Sequence, residues 1–320
     1  MRALVFEGEL KYRKDYPIPS PFNDEALIRV VAAGVCATDL EIIKGYMGFK
    51  GVLGHEFVGI VEECGDKGLI GRRVVGEINI PCGTCQFCGD GLGNHCPQRG
   101  VLGISNKDGA FAQYLTLPAS NLHLLTDLIT DEEAVFVEPT AAAFELLEQV
   151  DLSPSKSVCV LGDGRLGILV AQALSLSLTG CRLVAAGRHR DKLSILYNRG
   201  INARIGIEGL GREFDLVVDC TGSASGLSDA LKVVKPRGTV VLKTTVAERH
   251  AFDLNQAVID EVTVVGSRCG PFKPAIQALQ DRAIDVRPLV SKVFPLEDGI
   301  EAIRYASKKG VLKVILRIGG

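Results

Sequence analysis

Missing from this 320-residue chain is any apolar run long enough to cross a bilayer, so a membrane-spanning role is not expected. A surplus of charge of either sign is missing too. The formal net charge of −2 offers no basic footprint for nucleic acid and no acidic tail. Met1-Arg2-Ala3-Leu4 does not read as the start of a signal peptide, and a cytoplasmic location is expected. Internal repeats and low-complexity linkers are lacking. What remains is ordinary globular composition: 47% hydrophobic residues, enough to bury the cores of two domains.

Cysteine is not scarce. The chain has 10, and in a cytosolic-looking protein of this size they point to metal or to buried thiols rather than to disulfides. Their clustering is informative. Cys82, Cys85, Cys88 and Cys96 follow the spacing C-x2-C-x2-C-x7-C, and four thiolates that close in sequence can complete a tetrahedron around one Zn²⁺. Such a site leaves no open position for a substrate, so it is expected to be structural. Cys64, Cys159, Cys181, Cys220 and Cys269 are scattered, mostly in apolar stretches, and read as core residues.

Two patterns divide the chain. Up to about residue 125 it is β-rich, with short apolar strands such as Ala26–Val31, Gly59–Glu63 and Arg73–Ile78 set between Gly and Pro turns. A helical stretch follows near Thr130–Val150. From Ser157 strands and helices alternate: Ser157–Leu161, Leu166–Leu178, Arg182–Ala186, Asp191–Arg199, Asp215–Asp219, Leu227–Val234, Gly238–Leu242 and Val262–Val265. That alternation predicts an α/β domain with a doubly wound parallel sheet. From about Ser267 the pattern is mixed again and closes on the strand Lys313–Leu316, which is expected to rejoin the β-rich part.

Gly162-Asp163-Gly164-Arg165-Leu166-Gly167 has the form G-x-G-x-x-G. Alone the motif is weak. Here it leaves a predicted strand and opens a predicted helix, the context that a dinucleotide site requires. Gly162 permits the tight turn, Gly164 lets the backbone approach a pyrophosphate, and Gly167 allows the helix to pack closely on the strand. The helix N-terminus adds partial positive charge. At the end of the second strand an NAD enzyme usually carries Asp or Glu for the ribose 2′-hydroxyl. This chain reads Gly187-Arg188-His189-Arg190, with no carboxylate and with two guanidinium groups that suit a 2′-phosphate. NADP(H) is therefore favoured over NAD(H).

Cys36, Gly54-His55-Glu56 and Glu138-Pro139 contain reasonable zinc ligands, but their spacing alone does not join them. Their order is more informative: Cys36-Ala37-Thr38-Asp39, Gly54-His55-Glu56, the cysteine quartet, Glu138-Pro139, then the glycine motif. This series resembles the zinc-dependent medium-chain dehydrogenases, the family of alcohol, sorbitol and threonine dehydrogenases, along essentially the whole chain. The resemblance implies a GroES-like β-rich catalytic domain, 1–138 and 267–320, with a Rossmann domain, 139–266, inserted in it. It implies two zinc ions per chain. The catalytic one maps onto Cys36, His55 and Glu138, with Glu56 beside the metal as an occasional ligand. The structural one maps onto Cys82, Cys85, Cys88 and Cys96. Glu138 as third ligand is more like the sorbitol and threonine dehydrogenase branch than the liver-type alcohol dehydrogenases.

The reaction so implied is hydride transfer between a secondary alcohol or polyol, or the matching carbonyl, and the nicotinamide, with Thr38 passing the proton toward the cofactor ribose. The chain departs from its relatives in places. Glu41 stands where many carry a relay histidine, Arg72 replaces a frequent acidic residue, and Lys243 follows Val240–Leu242 where a small residue is usual. Lys243 reads as a solvated strand end or as positive charge near cofactor or substrate. Tyr46–Lys50 is expected to line the substrate entrance. A homodimer or homotetramer is expected through the last parallel strand, Val262–Val265. The competing readings are a zinc-free quinone or enone reductase of the same superfamily and a binding protein without turnover.

Overall fold

The computed structural model describes every residue except 23, 154, 244–251 and 320. Contacts divide the chain into two compact units, Met1–Glu138 with Asp285–Gly320, and Pro139–Ile284.

The first unit is built around one long strand, Glu25–Val35. Eight of its eleven residues are buried, because both faces are covered. Three strands pair antiparallel with it: Tyr114–Pro118, Glu56–Glu63 and Lys313–Arg317. The last of these comes from the far end of the sequence and also pairs, in parallel, with Val290–Pro295. Arg73–Gly76 and Leu122–Leu124 extend the sheet beyond Glu56–Glu63. A second sheet joins Ala3–Phe6 to Leu10–Arg13 and Gly51–Val52. A third joins Asn79–Ile80, Gly100–Leu102 and Asn106–Lys107, and its first two strands bracket the cysteine quartet in sequence.

The helical stretch expected near Thr130–Val150 is two helices, Asp131–Ala134 and Val137–Gln149. The first is opened by a reciprocal cap. Thr130 Oγ1 accepts from Glu133 N at 3.2 Å, and Glu133 Oε2 accepts from Thr130 N at 2.9 Å. Pro139 falls in the first turn of the second helix, where its missing N–H costs nothing.

The second unit holds a six-stranded, wholly parallel sheet. Across the sheet the strands run Asn202–Ile205, Arg182–Gly187, Ser157–Leu161, Phe214–Asp219, Val234–Leu242 and Thr263–Gly266. The first strand in sequence is thus central, and the order reverses beside it, which is the doubly wound arrangement. All five residues of Ser157–Leu161 are buried, as a central parallel strand requires. Asn202–Ile205 escapes sequence reading because it is a short edge strand of mixed polarity with no buried residue. The opposite edge, Thr263–Gly266, is also largely open to solvent.

The sequence reading starts the returning tail at Ser267, whereas packing keeps 267–284 with the parallel sheet unit. The helix Phe272–Gln280 buries Phe272, Ala275, Ala278 and Leu279. Gly270 lies so near Val137–Gln149 that a Cβ there would come within 2.1 Å of the Ala141 carbonyl. Arg199 donates to the Ala283 carbonyl at 2.5 Å.

Asp215 pins the start of the central strand. Its carboxylate accepts from Lys156 N and Ser157 N at 2.9 Å and from Lys235 Nζ at 2.8 Å. Burial pulls its pKa up, but the Lys235, Ser157 and Lys156 donors prevail and hold it at about 2, against an ordinary 3.8. A depressed folded-state pKa gives stability that is complete above about pH 4 and lost as pH falls toward 2. Asp215→Asn is expected to flatten the acid limb of stability in that window and leave it unchanged at higher pH relative to its own plateau. Urea midpoints measured from pH 2 to 6 check this, and an unaltered slope between the two pKa values would contradict it.

Candidate active site

Three of the expected catalytic residues meet in the first unit. One ligand atom each from Cys36, His55 and Glu56 can be chosen so that all lie within 4.8 Å of one another. Cys36 caps the helix Ala37–Ile43, and His55 and Glu56 lead into the strand Glu56–Glu63. His55 and Glu56 are buried, at 3% and 1% exposure. Glu138 is not in this set. It lies half-buried in the first turn of Val137–Gln149.

Asp39 organises the cluster. Its carboxylate is fully buried and accepts from Cys36 N at 2.8 Å and from Gly54 N at 3.3 Å. The same group lies 3.4 Å from His55 Nδ1. One carboxylate thereby ties the helix carrying Cys36 to the loop carrying His55. Burial works against a charged imidazole, but Asp39 and Cys36 outweigh it and raise the His55 pKa well above the usual value. His55 Nδ1 is buried without a hydrogen-bond partner among the described residues. A thiol, an imidazole and a carboxylate, with a second carboxylate behind the imidazole, make a donor set that suits Zn²⁺.

Glu56 has a partner that the sequence did not announce. Lys313, fully buried, forms an ion pair with its carboxylate and approaches the Val35 carbonyl at 3.5 Å. The two residues come from strands on either side of Glu25–Val35 and reach each other across it. Gly34 makes the room, since a Cβ there would sit 2.4 Å from Glu56 Oε2. The Lys313 ammonium also stands 5.4 Å from the centre of the Phe136 ring. The pairing register turns Lys313 inward.

Thr38 Oγ1 lies 3.8 Å from Cys36 Sγ. Glu41, one turn further along, pairs with Lys44 at 2.8 Å.

The cysteine quartet closes as its spacing suggests. The sulfurs of Cys82, Cys85, Cys88 and Cys96 all lie within 4.8 Å of one another. Cys85 is 3.5 Å from Cys88 and 3.7 Å from Cys96, and Cys82 is 4.0 Å from Cys88. A tetrahedron with Zn–S bonds of about 2.3 Å has edges of about 3.8 Å, so the observed separations fit one zinc ion. The backbone N–H and hydroxyl of Thr84 bring the Cys82 pKa down to about 6. None of the ten cysteines is in a disulfide.

In the second unit the glycine motif bends as its spacing demands. Gly162 has φ +112°, and a Cβ on it would meet the Cys220 carbonyl at 2.6 Å. A Cβ on Gly167 would lie 2.1 Å from the Gly162 carbonyl, whereas Gly164 faces open space. Gly164 caps the helix Arg165–Ser177, and Arg165 and Leu166 form its half-exposed first turn. Beside the loop, Arg188 and Arg190 are both exposed, and neither forms an ion pair with a carboxylate among the described residues. The intervening Asp163 is the unexpected member. Its carboxylate accepts from Arg188 N at 2.5 Å and His189 N at 2.6 Å, and it lies 3.1 Å from His189 Nδ1. Burial raises its pKa, but the His189 and Arg188 donors win and lower it. Asp163 thus shapes the turn that presents Arg188, and Gly187 is needed because a Cβ there would touch the Asp163 side chain at 2.5 Å.

Comparison with known proteins gives the same division of labour. Residues 23–127 match the alcohol dehydrogenase GroES-like domain, and residues 166–283 match the zinc-binding dehydrogenase domain. Alcohol dehydrogenase TADH from Thermus sp. ATN1 is 30% identical with a TM-score of 0.86, and the match covers 100% of both chains. The chain belongs to the zinc-dependent medium-chain dehydrogenase family. An erythritol/L-threitol dehydrogenase from Mycolicibacterium smegmatis is 29% identical over 99% of this chain and 97% of its own. A protein from Sinorhizobium meliloti 1021 described as a zinc-binding dehydrogenase, solved bound to NADP, has a TM-score of 0.89 at 26% identity, covering 99% of this chain and 98% of that one. The family makes this protein an oxidoreductase of the alcohol and polyol dehydrogenase kind that uses a nicotinamide cofactor. Among the described residues no helix is long and apolar enough to cross a membrane.

Proposed function

We propose that this medium-chain dehydrogenase uses a catalytic zinc ion to move hydride between a secondary alcohol or polyol and NADP(H). The observation that carries the reading is the convergence of Cys36, His55 and Glu56 around a buried Asp39. Glu138 completes the proposed ligand set of Cys36, His55 and Glu138, with Glu56 held beside it by Lys313. Zinc held there supplies Lewis-acid activation of the alcohol or carbonyl oxygen. Asp39, 3.4 Å from His55 Nδ1, supplies the negative charge behind the imidazole. The Thr38 hydroxyl, 3.8 Å from the Cys36 sulfur, would take the alcohol proton and pass it toward the cofactor ribose. From there the relay ends either at Glu41, which pairs with Lys44 at the surface, or in water. The proposed structural zinc sits among Cys82, Cys85, Cys88 and Cys96 and takes no part in the chemistry.

Metal analysis of the purified protein is expected to find about two zinc ions per chain, one of each type. A single ion would favour a zinc-free reductase that has kept only the cysteine lobe.

The cofactor preference rests on different residues. Exposed guanidinium groups at Arg188 and Arg190, without carboxylate partners among the described residues, suit a 2′-phosphate. Fluorescence titration is expected to show NADPH bound about tenfold or more tightly than NADH, and Arg188→Asp to remove that margin. Equal affinity in the parent protein would refute the preference. A cytoplasmic location and a homodimer or homotetramer joined along Thr263–Gly266 complete the proposal; sedimentation would show the assembly.

A further inference from the structure

Lys243 is a buried lysine that none of the roles above uses. It is 8% exposed, which overturns the expectation of a solvated strand end. A lysine usually buries its stem and leaves its ammonium in water. Here Nζ donates to Ser267 Oγ at 2.8 Å. A serine hydroxyl that accepts from an ammonium keeps its own proton to donate.

The sheet shows where this pair lies. Gly162, Cys220, Lys243 and Ser267 are the first residues past the carboxyl ends of four neighbouring strands. Backbone bonds hold them in one row: Cys220 N to Leu161 O at 2.8 Å, Lys243 N to Asp219 O at 3.0 Å, Ser267 N to Leu242 O at 3.0 Å. A doubly wound sheet binds a dinucleotide along that edge, one mononucleotide on each half. The glycine loop takes the pyrophosphate and the Arg188 side takes the adenosine. The nicotinamide mononucleotide is left for the half that contains Cys220, Lys243 and Ser267. Two strand spacings, about 10 Å, separate Gly162 from Lys243, the reach of a ribose and a ring.

A cation there distinguishes the two redox states. The oxidised ring is positively charged and is repelled, whereas the reduced ring is neutral. The reduced carboxamide oxygen also carries electron density donated by the ring nitrogen, so it accepts a hydrogen bond better. Asp219 is a neighbouring carboxylate, but it accepts from Thr221 N at 2.9 Å and Thr221 Oγ1 at 2.7 Å, against the start of the helix Gly226–Val233.

We propose that Lys243, with Ser267, is a nicotinamide-binding group that makes the site hold the reduced dinucleotide more tightly than the oxidised one. The inference rests on the reading of this unit as a nicotinamide dinucleotide site and is independent of the 2′-phosphate. The experiment is equilibrium titration of the parent protein, Lys243→Met, Lys243→Gln and Lys243→Arg with NADPH, NADP⁺, NADH and NAD⁺. The parent is expected to bind each reduced form about tenfold more tightly than its oxidised partner. Lys243→Met and Lys243→Gln should bring the two affinities together, chiefly by improving oxidised binding, while Lys243→Arg keeps the difference. Equal affinities in the parent, or an unchanged ratio in a neutral variant, would overturn the role of Lys243 while leaving the dinucleotide site intact. No binding of any of the four would overturn the site itself and the inference with it. Where Lys243→Met fails to fold, Lys243→Gln, which removes the charge and keeps an N–H donor for Ser267, carries the comparison.

Discussion

Cys36→Ser is expected to reduce turnover by about a thousandfold or more while leaving dinucleotide affinity unchanged. The split follows from where Cys36 lies. Its sulfur is part of the cluster with His55 and Glu56 in the first unit, while Gly162, Gly164 and Gly167 belong to the second. Serine keeps the helix cap and the backbone N–H that donates to Asp39, so the local fold has no reason to change. What it loses is the soft, readily ionised sulfur that favours zinc. Zinc content should fall by one ion per chain at the same time, because the quartet of Cys82, Cys85, Cys88 and Cys96 is untouched. Steady-state rates on polyols, nicotinamide fluorescence and metal analysis on one preparation test all three points. Turnover at the parental level would refute the proposed role of the cluster.

Lys313→Met is expected to destabilise the protein by about 3–5 kcal/mol, the usual cost of leaving one member of a buried ion pair alone. Lys313 and Glu56 are each about 1% exposed, so water does not replace the lost partner. Methionine fills the stem's volume and packs against Phe136, which confines the loss to the charge. Adding Glu56→Gln should recover much of the stability, since a neutral amide then replaces the unpaired carboxylate. Urea unfolding of the parent, the two single variants and the double variant forms the cycle. A loss below about 1 kcal/mol in Lys313→Met, the range of exposed pairs, would show that the pair is not held away from water.

The two halves of the candidate site were not equally legible. The cysteine quartet and the glycine motif are local. Each lies within a short stretch of chain, and its spacing reflects a turn or a tetrahedron that the backbone can form on its own. Cys36, His55 and Glu138 are not local, and order along the chain joined them only through likeness to a family. The structure brings Cys36 and His55 together with Glu56, while Glu138 stands on its own helix. Asp163 fills an unspecified position of the glycine motif, so the spacing carries no sign of its bonds to Arg188 and His189.

What the sequence determined by itself was therefore the kind of each domain, the place of the dinucleotide loop and the composition of the cysteine lobe. Those follow from period, turn chemistry and short-range ligand spacing. Only the tertiary structure decided which buried charges face each other. Lys313 reaches Glu56 because two strands far apart in sequence flank Glu25–Val35 and Gly34 leaves room between them. Lys243 is enclosed because the next strand places Ser267 beside it. The same lysine at a strand end is solvated or buried according to what the register sets opposite it, and no local pattern contains that information.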